Sequence, residues 1–341
     1  MSNDLLPGGK VYRVSLLVLP DAVISTVAGI YDVMNSLGLM AIKSATSATT
    51  FKVDIVGEMV GPLDLVSGVP FHVQRSIDSV TETDIVIVPS FLLSSGSWEK
   101  NRYPRLINWL RSTHASGAII CSACSGVFLL AETGLLDNKD ATVHFNYADI
   151  FAATYPKVSI YPERVLVVSG QHEELISSGA SMSWHDLVLY LFARFMGATL
   201  AQEVARLFAL QWHQDGLTPY IVFEGKFDHG DAEIQIAQQW LQLNFSVANA
   251  VDQMITHSSL AERTFKRRFT AATGITPIEY VQRLRVEDAK RRLERTNTSI
   301  DEISWRVGYE DAAFFRRIFK RTTGLTPGAY RKRFCIPTFA R

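Results

Sequence analysis

The stretch AIICSACSGVFLLAETGLL, Ala118 to Leu136, decides how the first half of this chain folds. Ala118-Ile119-Ile120 is an apolar run that stops at Cys121. Ser122 to Gly126 is small and mostly polar. From Val127 the apolar residues fall at helical spacing. The grammar is strand, sharp turn, helix, with the Cys124 thiol on the turn. Turns of this kind hold nucleophiles at the mouth of parallel sheets. Cys124 is therefore either the nucleophile of an enzyme or part of an enzyme-like pocket put to another use.

Strands and helices alternate on both sides of this turn. VYRVSLLVLP (Val11 to Pro20), FKVDIVG (Phe51 to Gly57) and DIVIVPS (Asp84 to Ser90) read as buried strands. STVAGIYDVMNSLG (Ser25 to Gly38) predicts a helix capped by Ser25 or Thr26 and closed by Gly38, and Arg102 to Gly117 predicts another. RVLVVSG and ELISSG are two late strands joined at Gly170-Gln171-His172. SMSWHDLVLYLFARFMG and TLAQEVARLFALQW are strong helices. The alternation predicts an α/β fold with a mostly parallel sheet covered on both faces. Ligands of open α/β sheets sit beyond the carboxyl ends of the strands. That mouth should collect Thr26, Ser90, Phe91, Cys124, Ser125, Gly126, His144 and Trp184. Backbone N–H groups at the Ser125 helix start suit an anion. No Gly-x-Gly-x-x-Gly follows the first strand, so no nucleotide and no other cofactor is implied. Cys121-x-x-Cys124 has no second ligand pair, so no metal site is expected.

The 341 residues suggest about two domains. With 47% hydrophobic and 20% charged residues the chain has material for sizeable cores. MSNDLLPGGK lacks a basic region followed by a long apolar one, so no leader is expected. No run approaches the roughly 18 uncharged apolar residues of a membrane span. Three cysteines make no disulfide framework. A cytoplasmic protein without a membrane partner is the expectation. The net charge of zero hides an asymmetry. From Asp231 onward there are 19 Lys+Arg against 12 Asp+Glu, net +7, and the 15 and 22 that remain give the first 230 residues net −7. The basic half favours a polyanion. His213 to Asp231, with three glycines and a proline, breaks the pattern. The reading is a first domain over 10–212, a linker over 213–230 and a second domain over 231–341.

The basic half contains a repeat. TFKRRFTAATGITPIEY (Thr264 to Tyr280) lies over FFRRIFKRTTGLTPGAY (Phe314 to Tyr330) with no gap and eight identities: Phe265/Phe315, Arg267/Arg317, Phe269/Phe319, Thr273/Thr323, Gly274/Gly324, Thr276/Thr326, Pro277/Pro327 and Tyr280/Tyr330. Each copy has helix-turn-helix grammar. In the second, SIDEISWRVG is a short helix capped by Ser299 with Glu302 as capping-box partner. Gly308-Tyr309 turns, and DAAFFRRIFKRTTG follows as the next helix. Phe315 and Phe319 face inward, which leaves Ala312, Ala313, Arg316 and Arg317 outward. In the first copy Phe265 and Phe269 anchor while Arg263, Lys266 and Arg267 point away. Small and basic residues early in a second helix suit a major groove. PIEYVQRLRVEDAKRRLERT would be a long helix between the units.

The segment from about Asp231 to Phe334 resembles the DNA-binding domain of the AraC/XylS family, through RTFKRRFTAATGITPIEYVQRLR and GYEDAAFFRRIFKRTTGLTPGAYRKRF. The resemblance implies an all-α domain with two helix-turn-helix units that read successive major grooves of double-stranded DNA. Its base-reading positions fall on Arg263, Lys266, Arg267, Ala312, Arg316 and Arg317. Ser258-Ser259 stands where many members have a serine-glycine or glycine-serine turn. About Lys10 to Trp212 resembles the class I glutamine amidotransferase-like superfamily, in its intracellular-protease-like branch, on ACSGVFLLAETGLLDNKDATVHFNYADIF. That implies a flavodoxin-like α/β sandwich with Cys124 as the elbow cysteine. Enzymes of the superfamily often carry histidine after the cysteine, where this chain has Ser125. Many relatives place a carboxylate on the first helix, where this chain has Thr26. His144 is the nearby imidazole. Together the halves are similar to the amidotransferase-like subgroup of AraC-type regulators. The resemblance implies a non-enzymatic, sequence-specific transcriptional regulator, acting with RNA polymerase. Its first domain would sense a small anionic metabolite and form a homodimer. The alternative is a thiol-dependent hydrolase fused to a DNA-binding domain.

Overall fold

The computed structural model describes residues 10–39, 49–93 and 98–336. Met1 to Gly9, the stretch read for a leader, lies outside them. The chain divides into two units, Met1–Leu217 and Thr218–Arg341. The division falls inside the stretch 213–230.

The first unit opens with β1 (Val11–Leu17), α1 (Ile24–Met34), α2 (Ser36–Leu39) and β2 (Thr50–Gly57). A small hairpin of β3 (Gly61–Asp64) and β4 (Pro70–Val73) follows, then β5 (Arg75–Ser76) and β6 (Ile85–Val88). Next come α3 (Pro104–Ala115), β7 (Ile119–Ala123), α4 (Val127–Glu132), β8 (Asp140–Ala141), α5 (Ala148–Thr154) and β9 (Ser159–Ile160). The unit ends with β10 (Leu166–Ser169), β11 (Leu175–Ser178), α6 (Trp184–Met196) and α7 (Ala198–Leu207). Seven strands form one sheet in the order β10-β11-β7-β6-β1-β2-β5, parallel throughout except for the β10–β11 hairpin. The expected flavodoxin-like α/β sandwich is the fold observed. All four residues of β6, Ile85 to Val88, are fully buried. Such a run is what a central parallel strand needs when both faces are covered. The β3–β4 hairpin and the β8–β9 pair carry no long apolar run and were not anticipated.

Two local expectations are corrected. Neither Ser25 nor Thr26 caps α1; its N-cap is Val23 and no side chain caps it. The Thr26 hydroxyl is instead buried against Ser90 Oγ, 2.7 Å away. Gly38 does not close the helix either. The α1 helix stops at Asn35, whose Nδ2 donates back to the Tyr31 carbonyl, and Gly38 lies inside α2.

The second unit holds α8 (Ala232–Asn244), α9 (Ala250–His257), α10 (Glu262–Thr273), α11 (Pro277–Arg295), α12 (Ile300–Arg306), α13 (Ala312–Thr323) and α14 (Pro327–Phe334). Two cores serve it. One gathers Phe265, Phe269 and Tyr280 with residues of α8 and α9; the other gathers Phe315, Phe319 and Tyr330 with residues of α11 and α12. The part of 213–230 within this unit is packed: Lys290 Nζ donates to the Ile221 carbonyl at 2.7 Å, and Phe223 meets the Tyr280 ring edge-on at 5.1 Å. Among the described residues no helix is long and apolar enough to cross a membrane.

The tightest point of the α/β unit is Gly126. A Cβ there would stand 2.6 Å from the Pro89 carbonyl oxygen and 2.7 Å from that of Val88. Both are backbone atoms at the end of β6 and cannot swing aside. Gly126→Ala should therefore destabilise this unit by about 1–3 kcal/mol. Denaturant unfolding followed by tryptophan fluorescence measures it, and a wild-type curve would show that the elbow is looser than described.

Candidate functional site

The elbow forms where β7 ends. Leu17, Val88 and Ala123 close β1, β6 and β7 at similar height, because Leu16 pairs with Ile87 and Val88 with Ser122. Cys124 follows with φ +52°. A non-glycine residue rarely adopts this left-handed conformation, and such residues cluster at functional sites. The strand, turn and helix read from the sequence are all present.

The elbow's hydroxyls are engaged within the protein. Thr26 and Ser90 bond each other. Ser125 Oγ accepts from the Phe91 N–H at 2.8 Å and donates to the Phe91 carbonyl at 2.6 Å. Thr26, Ser90, Phe91, Cys124 and Ser125 are each at most 2% exposed, so this cluster is sealed from bulk solvent. Trp184 is brought to the same region. Its ring lies on Gly29 of α1, where a Cβ would come within 2.4 Å of it. Three polar atoms beside the elbow, Ser122 Oγ, Ser183 Oγ and Trp184 Nε1, are buried with no hydrogen-bond partner among the described residues.

The Cys124 thiol has the position of a nucleophile without its usual support. Burial pushes its pKa up, and hydrogen bonds with Ser181, Ser125 and Ser90 only partly counter this. Ser181 Oγ lies 3.6 Å from the sulfur. A thiol without an activating base stays protonated and weakly nucleophilic. Its hydrogen-bond partners among the described residues include neither imidazole nor carboxylate. His144 serves locally: its Nδ1 accepts from the Asn146 N–H at 3.2 Å, and its ring tilts over Phe145 at 4.3 Å. Burial lowers its pKa. Cys121 is fully buried in β7.

The second unit gives seven of the eight identities the same structural role in both copies. Gly274 and Gly324 both have φ +79° and end α10 and α13 in the left-handed conformation that suits glycine. Thr273 and Thr323 each donate to the carbonyl four residues back and accept from the N–H two residues on. Thr276 and Thr326 cap α11 and α14, with Pro277 and Pro327 at the first helical position. The paired phenylalanines are 5.7 Å apart in both copies, and the tyrosines meet Phe269 and Phe319 edge-on at 5.3 and 5.4 Å.

The remaining identity, Arg267/Arg317, packs in neither core. Arg263, Lys266 and Arg267 are exposed on α10; Arg316 and Arg317 are exposed on α13, with Ala312 half-buried at its start. Lys266 pairs with Glu262 and Arg316 with Asp301. The Arg317 guanidinium lies 5.6 Å from the Phe314 ring centre. Ser299 caps α12 as expected, accepting from the Glu302 N–H at 3.1 Å, while the Glu302 carboxylate accepts from Arg306. The two turns differ. Gly308 has φ +94°, whereas Ser258 is extended and fixes its turn by donating to Ile255 and accepting from the Leu260 N–H.

Residues 26–191 match the model of the DJ-1/PfpI family, and residues 255–333 match that of a helix-turn-helix domain. The HTH-type transcriptional regulator Rv1931c of Mycobacterium tuberculosis is 36% identical over 261 residues, covering 74% of this chain and 95% of that protein. The chain belongs to the AraC-type HTH transcriptional regulators. Another such regulator, CdhR of Pseudomonas aeruginosa, is 27% identical over 237 residues, 66% of each protein. The chain thus spans just under two thirds of that relative. The crystal structure of Drosophila melanogaster DJ-1beta has the fold of the first unit: TM-score 0.50 and 19% identity, over 60% of this chain and all of that one. The relatives named are regulators, and the family is one that binds DNA.

One residue of this AraC-type regulator was not legible as important. Arg285, midway along α11, sends its Nε to the Phe245 carbonyl at 2.8 Å, Nη1 to Gly308 at 2.8 Å and Nη2 to Val247 at 3.0 Å. Its guanidinium also stands 5.0 Å from the Tyr309 ring centre, and burial lowers its pKa. It joins the loop between α8 and α9 to the turn of the second helix-turn-helix. Arg285→Met should cost the second unit about 2–3 kcal/mol, because three carbonyls lose a charged donor. Arg285→Lys should recover only part, since an ammonium cannot fork to three acceptors. Denaturant melts of the three proteins decide it; equal stability of wild type and Arg285→Met would show the clamp to be ornamental.

Proposed function

We propose that this regulator reads double-stranded DNA with α10 and α13, and that its first unit is a sensor for a small metabolite. The observation that carries the DNA reading is the identity Arg267/Arg317. It is the one identity that neither packs in a core nor caps, starts or stops a helix, and it is exposed at the same helix position in both copies. Around it Arg263, Lys266 and Arg316, with small Ala312, form two narrow basic faces suited to base edges and phosphates. Lys266 and Arg316 exchange exposed carboxylate partners for DNA at small cost, because surface ion pairs are weak.

The elbow supports sensing over catalysis. Its thiol is buried, and among the described residues no base shares a hydrogen bond with it. Ser122, Ser183 and Trp184 nonetheless bring three unpaired polar atoms beside it, and buried polar groups call for partners. The Trp184 indole can only donate, so a ligand there presents an acceptor, as an anionic metabolite does. A homodimer, RNA polymerase as partner and a cytoplasmic setting complete the reading, as for a bacterial-type activator or repressor that couples metabolite level to transcription.

Arg267→Ala or Arg317→Ala should each weaken target binding by about 1–3 kcal/mol and relax specificity at one position. Binding of the full chain should also fall steeply with salt. Electrophoretic mobility shifts at two salt concentrations test this, and unchanged affinity in both variants would refute the DNA reading. In a reporter assay Cys124→Ser should keep its effector response, since the hydroxyl preserves a small polar group on the turn. Loss of that response with DNA binding intact would return a chemical role to the thiol.

A further inference from the structure

His185 and Asp186 follow Trp184 in one stretch read as a helix, and His213 begins the stretch read as a linker, yet the three side chains meet. His185 and Asp186 open α6; His213 lies on the segment that leads out of the first unit. His213 Nδ1 is 2.6 Å from Asp186 Oδ2, and His185 Nε2 is 3.5 Å from the same oxygen. The two imidazoles stack with ring centres 5.0 Å apart. One donor atom from each residue falls within 4.8 Å of the others. Asp186 and His185 are 3% and 8% exposed. The other carboxylate oxygen, Oδ1, accepts from the His213 backbone N–H at 2.9 Å.

We propose that these three side chains form a binding site for a divalent transition-metal ion of the zinc class. Two imidazoles and one carboxylate are a borderline donor set that favours such ions over calcium or magnesium. Metal–ligand bonds of about 2.0–2.1 Å in a tetrahedron place donors about 3.3 Å apart. The distances of 2.6 and 3.5 Å to Asp186 Oδ2 lie on either side of that value, and drawing in the imidazole pair, whose donors lie within 4.8 Å, completes the set. The backbone bond on Oδ1 acts as an outer-shell support that aims Oδ2 inward. Each ring would coordinate through the lone pair of one nitrogen, with its proton on the other. The proton on His213 Nδ1 moves to its Nε2, and the one that His185 Nε2 donates to the Gln211 carbonyl at 2.8 Å moves to its Nδ1. The fourth position falls to that carbonyl or to water. Asp186 and His213 also line a cavity of about 360 Å³ with Leu166, Tyr190 and Trp212, through which an ion can enter. A lone structural ion pair would explain one imidazole on Asp186 but not two converging on one oxygen. The ion would tie α6 to the segment leaving the first unit.

The test uses the full chain, stripped with chelator and titrated with Co(II) and then Zn(II). One equivalent of Co(II) should give the visible bands of a four-coordinate nitrogen–oxygen site, and Zn(II) should displace it and raise the melting temperature. Asp186→Asn, His185→Gln and His213→Gln should each weaken binding at least ~10-fold, while Cys124→Ser and His114→Gln leave it unchanged. Melting in chelator shows which variants are folded, and any one folded variant suffices. The proposal is overturned if wild type binds no metal, if binding survives in the folded variants, or if the spectrum shows thiolate ligation lost in Cys124→Ser.

Discussion

The approach of the elbow backbone to the end of β6 is the constraint around which the α/β unit is arranged. Gly126 has no side chain because the carbonyls of Val88 and Pro89 occupy the space. With α4 pressed that close, β7 must end abruptly, and Cys124 takes the left-handed conformation that makes the turn. Ser125 then reaches the Phe91 backbone, and the Ala22–Phe91 bridge ties the ends of β1 and β6 together. Four segments are fixed by one close contact. This geometry sets a thiol at the mouth of a parallel sheet whether or not chemistry follows. Here burial outweighs the hydroxyl neighbours and raises the thiol's pKa, so the position of a nucleophile is kept without its activation.

Much of this was legible because the signals were local. The continuous apolar run of β6 and the strand–turn–helix change at Cys124 each occupy a few consecutive positions, and the eight identities between the repeats fall within 17 aligned residues. What was hidden depends on distance. Thr26 looked like a helix cap because threonine caps by a short-range bond, but tertiary packing gave its hydroxyl to Ser90, 64 residues away. Arg285 looked like one more basic residue in a charged helix. Its role requires three carbonyls from two loops that no spacing rule brings together. His185, Asp186 and His213 were invisible for the same reason, being 27 residues apart without a metal-site spacing.

The two helix-turn-helix units show how a duplicated element is held constant where packing demands it and released elsewhere. The phenylalanine pair, the tyrosine, the glycine stop and the threonine–proline start repeat because each meets the same steric or hydrogen-bonding need in both copies. The turns diverge. A left-handed glycine serves one, and a serine with two hydrogen bonds to its own turn serves the other. Either solution lets the chain reverse before the second helix, so the turn is free to vary while its outcome is not.

Arg285 also bears on the DNA itself. A planar guanidinium that holds three carbonyls from two loops resists rotation as well as separation. On the proposed DNA reading, α10 and α13 would then act as one caliper, not as beads on a string. A caliper has a fixed opening. If DNA supplies its two groove segments at another spacing or twist, the protein cannot adjust, and the duplex must bend or change its winding to meet both helices. On that reading, stiffness in the protein would be converted into a demand on DNA shape, and base pairs that neither helix touches would become part of what is recognised.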